Sequence, residues 1–575
     1  MSLDRPTILI LGAGINGAAI ARELALCGVG VVIVDRCDIA SGATAYSSRL
    51  IHGGLRYLEY GEFDLVRESL NERTRLLHLA PHLVKPLRLF VPVSSRLSGM
   101  RSALPKFFGW QGKPRAPEPR GLWLVNAGLQ FYDRLARSSS LPRRKVHRVG
   151  AAPAPPVDAK RYRWVCSYWD AQIVYPERFT LALLEDARQL AEAHGAEFRV
   201  YTYHEARFQN HLATVRPVPR ETARPSHLPQ GVKMFTPAAI INATGAWVDQ
   251  TLKLLGAPSV RIMGGTKGSH ILTHQAAIRG ALGQSGVYTE ASDGRPIFLL
   301  PFGEAVLIGT TDLPFENSPE TAVANDEEIT YLLDAANAVF PYIHLQRGDV
   351  TLHYSGVRPL PYVDATTTAA ITRRHFLKEH TECAVPLYSI IGGKLTTCRS
   401  LAEETVNAVL PRINRAPPMT SRDRPIPGGA DYPRNDVELL DIHAQLSERL
   451  GYSSSQINAV WQLCGRLIER ALSSDLPPAP QPDDRENLPG TSLPKRFVRY
   501  TLNHEWVSRL ADLVERRLML HFHREISEAC LQQLAHLLVE SGQLAIEDLE
   551  QEVTVTRQRL ADHFGRQGDV IRQSH

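Results

Sequence analysis

The sequence predicts an α/β body that opens on a doubly wound parallel-sheet unit and ends in an all-helical C-terminal domain. Three observations predict it. Residues 7–34 read strand, glycine turn, helix, strand. The following stretch, to about residue 397, mixes apolar strand-like runs and turn residues with only occasional helical patterns. Beyond residue 411, two proline-rich punctuations separate segments of purely helical periodicity. The 575 residues, 43% hydrophobic and 22% charged, are of ordinary globular composition, which excludes disordered and collagen-like classes.

Taken in order, Thr7–Leu11 is a β-branched apolar run, Ile15–Leu26 has helical spacing, and Val29–Val34 is a second buried strand. A Gly/Ser/Thr-rich stretch from Asp38 gives way to a helical pattern by about Glu68. A helix is expected from about Glu177 to His194, a buried strand over Ala238–Ala243, and a helix over Ser400–Leu410. Proline-rich stretches cover Pro411–Pro433 and Leu476–Lys495. Around them, helices are expected over Val437–Leu450, Ser455–Leu472, Arg496–Phe522, Ser527–Glu540 and Ala545–Phe564. The expected division is 1–415 for the α/β region and 416–575 for the helical domain.

Seven scattered cysteines, never as C-x-x-C, argue for a reducing, cytoplasmic setting and against bound metal. No stretch reaches the roughly 20 apolar residues of a membrane-spanning helix. The net charge of +5 hides an asymmetry. Ser94–Arg148 carries twelve Lys and Arg against only Glu118 and Asp133, which points to a local anionic partner.

Gly12-x-Gly14-x-x-Gly17 lies between strand and helix, and Asp35 ends the next strand 18 residues after Gly17. Gly12 permits the tight turn, Gly14 lets a pyrophosphate approach the backbone, and Gly17 lets helix and sheet pack closely. The phosphates then sit at a helix N-terminus, and Asp35 accepts from a ribose hydroxyl. Asn16, inside the motif, joins these candidate contacts. Ser41, Gly42, Thr44, Ser47 and Ser48 place small residues and hydroxyls just after the second strand, where a cofactor comes close. Farther on, Asn242-Ala243-Thr244-Gly245 ends a buried strand in a glycine turn; its match to a glycosylation acceptor is read as chance. Gly392-Gly393-Lys394-Leu395-Thr396-Thr397 precedes a helix but is no Walker A loop, which needs Ser or Thr directly after the Lys.

These four elements, in this order, resemble the FAD-dependent amine and 2-hydroxy acid oxidoreductases. The resemblance implies a Rossmann-like FAD-binding domain interleaved with an antiparallel-sheet substrate domain, as in amino acid oxidases. It sharpens with His52-Gly53-Gly54-Leu55-Arg56-Tyr57-Leu58, Ala80-Pro81-His82-Leu83, Lys267-Gly268-Ser269-His270, Gly309-Thr310-Thr311-Asp312 and Tyr354-Ser355-Gly356-Val357-Arg358-Pro359-Leu360. Together with Gly392–Thr397, these are similar to the FAD-dependent glycerol-3-phosphate dehydrogenases over Thr7 to about Ala402. Asp35 departs from the Glu common at that strand end, and the insertion near Ser98–Arg120 is longer and more basic than the family pattern.

The resemblance implies FAD as cofactor, held by Gly12, Gly14, Asn16, Gly17, Asp35, Ser41, Gly42, Thr44, Ser47, Ser48, Thr244, Gly245, Gly393, Lys394, Leu395 and Thr396. It implies glycerol 3-phosphate as substrate, oxidised to dihydroxyacetone phosphate. Arg56, Arg358 and Arg373 are expected near the phosphorylated substrate, because guanidinium binds a dianion bidentately. Tyr57 is a candidate substrate contact and Lys394 a candidate beside the flavin. His52 and His270 are both candidates for the base, since imidazole titrates in the useful range. Arg358 is a poor base and better suited to steadying charge on the substrate oxygen.

Family members pass electrons to a membrane quinone or to oxygen. Arg96, Arg101, Lys106, Phe107, Phe108, Trp110, Lys113 and Arg115 mix cations with rings, a pattern that fits an anionic membrane surface through segment 94–120 better than nucleic acid. The expectation is a peripheral protein on the inner face of the cytoplasmic membrane, delivering electrons to quinone. An oxygen-using oxidase and a flavin-binding surface scaffold or sensor are the alternatives, and a homodimer stays open.

Overall fold

The computed structural model describes residues 6–96, 121–136, 141–218, 232–257, 260–363, 372–416, 419–475, 477 and 479–566. Segment 94–120 therefore lies, after Arg96, outside the described residues.

A six-stranded sheet holds, in spatial order, Phe376–His380, Leu387–Ile391, Ala239–Asn242, Thr7–Leu11, Gly30–Val34 and Phe198–Tyr201. All pairs are parallel except the edge pair Phe376–His380 with Leu387–Ile391. Its apolar runs are near-continuous because both faces are covered. Ile8, Ile10, Val31 and Ile33 face the helices Ile15–Leu26, Pro176–His194 and Cys398–Val409. The alternate residues Leu9, Leu11, Val32 and Val34 pack with Ala206, Ala213 and Val215 of a three-stranded antiparallel sheet. The period of two that put Ile and Val on this strand thus builds two cores at once.

The second large sheet is mainly antiparallel and centres on the long strands Val84–Val93, Trp164–Ile173, Met263–Thr273 and Val350–Pro361. Ile271, Val287, Leu299 and Ile308 on one face meet Ile329, Leu332 and Ala336 of the helix Asp326–Val339. The other face, with Leu272, Leu300, Leu307 and Tyr354, belongs to a continuous apolar cluster that includes Phe522, Leu534 and Phe564 of the helical C-terminal region.

That region has helices over Asp436–Leu450, Ser454–Cys464, Lys495–His504, Glu528–Glu540 and Leu549–Phe564. Two expected helices are broken. The one expected over Ser455–Leu472 stops at Cys464, where Gly465 takes φ +55 and leaves room for a short turn Ile468–Ala471. The one expected over Arg496–Phe522 ends at His504. Its backbone then serves buried charges: Asp512 accepts from the Ser508 and Arg509 N–H groups, and Arg517 donates to the Glu505 and Trp506 carbonyls. Residues Leu513–Arg517 form a π-helical turn. Among the described residues, no helix is long and apolar enough to cross a membrane.

Candidate active site

The four motif turns leave the carboxyl ends of four parallel strands. Leu11 pairs with both Val34 and Asn242, and Asn242 pairs with Ser389, so Gly12, Asp35, Thr244 and Gly392 all emerge at one edge of the sheet. This edge is where open α/β sheets bind ligands.

The glycines there answer to close approach. Gly12 has φ +100, and a side chain on it would strike the Ala243 carbonyl at 2.6 Å. A side chain on Gly393, at φ +101, would strike the Asn16 amide at 2.5 Å. Asn16 thus stands between two turns far apart in sequence, and its Oδ1 is buried without a hydrogen-bond partner. Both Asp35 oxygens accept backbone N–H groups, from Ala13 at 2.7 Å and Cys37 at 2.8 Å. Burial still pushes its carboxyl up to about 6. Thr44 Oγ1 accepts from the Ile15 N–H at 3.1 Å and so lies at the start of the motif helix, with Gly14 beside it. Gly42 lies against the Trp247 ring, and Gly245 turns at φ +61 with open space where a side chain would be. Thr244 Oγ1 donates to Asn242 Oδ1 at 2.7 Å. Asn242 itself is fully buried, which removes the glycosylation match. An orphaned amide oxygen, a helix N-terminus and glycine-lined space fit a dinucleotide.

A second cluster sits where the two large sheets meet. Leu50–Ile51 pairs with Trp164–Ile173, and the chain then turns through His52, Gly53 and Gly54 into a 3-10 helix carrying Arg56 and Tyr57. The His52 N–H donates to Thr396 Oγ1 at 3.2 Å, joining this turn to the Gly392–Thr397 run. Lys394 Nζ lies 4.6 Å from the centre of the Tyr57 ring and donates to Ser69 Oγ at 2.8 Å, while Leu395 packs into the parallel sheet's core. From the antiparallel sheet, Arg358 donates to Asp312 Oδ1 at 2.9 Å and to Thr310 Oγ1 at 2.8 Å. Arg373 donates to the other oxygen of Asp312 at 3.3 Å. Arg373, Arg358 and Arg56 all act on the Tyr57 hydroxyl, although burial outweighs them and raises its pKa. His52, Arg56, Tyr57, Arg358, Arg373 and Lys394 are therefore brought together.

His270 is near but differently housed. Its ring stacks on Tyr354 at 4.9 Å, Nε2 meets Ser48 Oγ at 2.8 Å, and Nδ1 is buried with no partner. Ser47 keeps its hydroxyl on the Thr44 carbonyl at 3.2 Å.

The cations and the burial tell on every titrating group. Burial first, then Lys394 and Arg73, push His52 down to about 3. Burial first, then Arg358 and Arg49, hold His270 well below the ordinary imidazole range. The expectation that these imidazoles titrate in a useful range is corrected: both are neutral throughout it, because each loses solvent and faces positive charge. Burial lowers Lys394 to about 8, against the pull of Glu68 and Glu62 and with Arg373 adding to the shift.

Sequence reasoning missed Asp312, which anchors both arginines, although it ends the Gly309–Asp312 motif. It also missed the support behind Gly53. Tyr132 and Arg73 donate to Asp170 at 2.7 Å each, and the Gly53 N–H donates to the Tyr132 hydroxyl at 2.8 Å.

The model of the FAD dependent oxidoreductases matches residues 7–387. A glycerol-3-phosphate dehydrogenase of Synechocystis is 37% identical, covering 77% of each chain. The aerobic glycerol-3-phosphate dehydrogenase of Escherichia coli is 30% identical over 90% of this chain and 94% of that one. In fold, the glycerol-3-phosphate dehydrogenase of Bacillus halodurans, solved with FAD, superposes with a TM-score of 0.68 at 22% identity, covering 100% of this chain and 97% of that one. The chain belongs to the FAD dependent oxidoreductases, within the glycerol-3-phosphate dehydrogenase family, and its cofactor is FAD.

Proposed function

We propose that the pocket oxidises the secondary alcohol of sn-glycerol 3-phosphate to dihydroxyacetone phosphate and that the electrons pass on to a membrane quinone. The observation that carries the reading is Arg358 and Arg373 sharing the single carboxylate of Asp312 beside Lys394. Such a group has positive charge left for a phosphate dianion.

Gly12, Gly14, Asn16, Gly17, Asp35, Thr44, Thr244, Gly245 and Gly393 hold FAD along the sheet edge, with Ser41, Gly42, Ser47, Ser48, Leu395 and Thr396 beside it. The chemistry that FAD supplies when bound is acceptance of the hydride leaving the alcohol carbon. Arg373, Arg56 and Lys394 bind the phosphate, and Tyr57 orients the polyol. Arg358 faces the reacting oxygen and stabilises the negative charge that grows there as its proton leaves. Of the two imidazoles, His52 takes that proton: it is half-buried beside Tyr57, whereas His270 is sealed against Tyr354 and spent on Ser48. Burial is the larger cause of the low His52 pKa; a bound dianion offsets the smaller part that comes from Lys394 and Arg73.

Membrane docking through segment 94–120 has the support of the helix that follows it. Leu122–Leu135 leaves Trp123 61% and Phe131 39% exposed, and these rings suit an interface that basic residues approach.

The test is discrimination. Glycerol lacks the phosphate, and kcat/KM is expected to fall by about 10⁴-fold with it, because the cations are then left unpaired. Comparable turnover of glycerol would overturn the substrate. With glycerol 3-phosphate saturating, a soluble quinone analogue should outpace air as acceptor; the reverse order would make the protein an oxidase. Failure to sediment with anionic vesicles at low salt would remove the membrane reading.

A further inference from the structure

We propose that the helical C-terminal region clamps the segment Asp38–Arg49 in its FAD-binding form, with Arg516, Arg517 and Arg559 as positioning residues for the cofactor. The segment lies on the cofactor edge of the parallel sheet. Its Ala40 N–H donates to the Ala13 carbonyl at 3.1 Å, Thr44 reaches the motif helix, and Ser48 meets His270. No regular strand or helix supports it among the described residues, and two non-glycine residues, Ala40 at φ +58 and Arg49 at φ +54, are held in the left-handed region. Such conformations persist only where the surroundings impose them.

The surroundings include the far end of the chain. At the start of the segment, the fully buried Asp38 carboxylate accepts from Arg516 Nε at 2.5 Å and Arg517 Nη2 at 2.8 Å. In the middle, the Tyr46 hydroxyl accepts from Arg559 Nη2 at 3.2 Å, with its ring 6.2 Å from that of Phe564. At the end, the Arg49 guanidinium lies 4.5 Å from the centre of the Phe522 ring while Glu177 pairs with it from the body. The cations are themselves fixed: Glu515 accepts from Arg559 at 2.5 Å and from Arg516 at 2.6 Å, and Asp512 accepts from Arg516 at 2.9 Å. The π-helical turn Leu513–Arg517 brings Arg516 and Arg517, neighbours in sequence, onto the same carboxylate. One face of the segment thus lines the cofactor site and the other is held by three C-terminal elements. The two contacts are linked, and the linkage is reciprocal: docking that favours FAD must itself be favoured by FAD.

The inference rests on FAD as the cofactor and not on the substrate, so its test uses the full-length protein with FAD and no substrate. The dissociation constant of FAD is measured by flavin fluorescence on apoprotein of the native chain, Tyr46→Phe, Arg559→Gln and the double variant. Loss of this hydrogen bond is expected to weaken FAD binding about three- to tenfold in Tyr46→Phe, and more in Arg559→Gln. The double variant is expected to be no weaker than Arg559→Gln, because both changes remove one contact. Hydrogen exchange in Leu549–Phe564 should slow when FAD binds to the native protein, and slow less in Tyr46→Phe. A Tyr46→Phe protein that melts lower yet binds FAD within about twofold of native would overturn the proposal and leave the contact purely structural. So would exchange in Leu549–Phe564 that ignores FAD. If Arg559→Gln does not fold, Tyr46→Phe decides alone.

Discussion

Two regions of this molecule gather arginines around carboxylates, and the chemistry differs because the balance and the burial differ. In the C-terminal cluster, Arg516, Arg517 and Arg559 meet Asp38, Asp512 and Glu515 one for one. Arg516, Arg517, Asp38, Asp512 and Glu515 are at most 4% exposed and form its sealed centre, with Arg559 at the rim, 30% exposed. In the pocket, Arg358 and Arg373 share Asp312, and the three side chains are 27%, 21% and 20% exposed. In a matched and sealed group the charges are consumed by one another, so it can hold neighbouring segments but has none left for a ligand. A half-open group in which two cations share one anion still has charge to offer a ligand. Residue type does not separate the two, since both are built from arginines and carboxylates.

The largest effect is expected in the sealed cluster. Arg517→Met leaves Asp38 buried with half its partners and should destabilise the fold by about 3–5 kcal/mol, read by chemical denaturation of the holoprotein. The counterpart in the pocket, Arg358→Met, should lower kcat by about 10²–10³-fold while retaining FAD and the native denaturation midpoint. If Arg358→Met unfolds the protein as readily as Arg517→Met, or loses FAD in parallel with activity, the distinction fails.

A smaller effect sharpens the pocket side. Asp312→Asn removes the shared negative charge: Arg373 loses its ion pair, while Arg358 keeps Thr310 Oγ1 and the Thr311 carbonyl. A loss of about 10–100-fold in kcat/KM is expected, because displacement of a positioning group by a fraction of its reach carries that penalty. Unchanged kinetics would mean that Asp312 does not place the arginines.

The smallest effect is a pH limb. Lys394 keeps its proton below about 8 and loses it above, so its charge is present at neutral pH and fades as pH rises. The kcat/KM for the phosphorylated substrate should therefore fall through that range, and Lys394→Gln should flatten the fall while lowering the plateau. A limb unmoved by the substitution belongs to another group.

Much of this was legible in the sequence where backbone geometry leaves one choice. Only glycine serves at Gly12 and Gly393, where a side chain would meet Ala243 or Asn16, so those positions announce themselves. The strands of the parallel sheet were legible because burial on both faces demands continuous apolar runs. Partnership was not legible. Asp38 pairs with arginines 478 and 479 residues away, and nothing in an Asp at that position names them. The helix expected over Arg496–Phe522 failed for the same reason: its apolar spacing continues, but its backbone is diverted to serve charges whose partners lie on other elements. His52 and His270 were indistinguishable by type; their neighbours separate them, Tyr57 and Phe298 around one, Tyr354 and Ser48 around the other. Segment 94–120, the most unusual stretch by composition, lies outside the described residues beyond Arg96.

Delivery of a phosphorylated secondary alcohol to the flavin is the proposed work of the half-open cationic pocket. Its most direct test is anaerobic addition of glycerol 3-phosphate to the purified yellow protein while the visible spectrum is recorded. The flavin bands are expected to bleach with glycerol 3-phosphate and to persist with glycerol. A flavin spectrum left unmoved by glycerol 3-phosphate would contradict it, and the arginine assignments would fall before those of the cofactor.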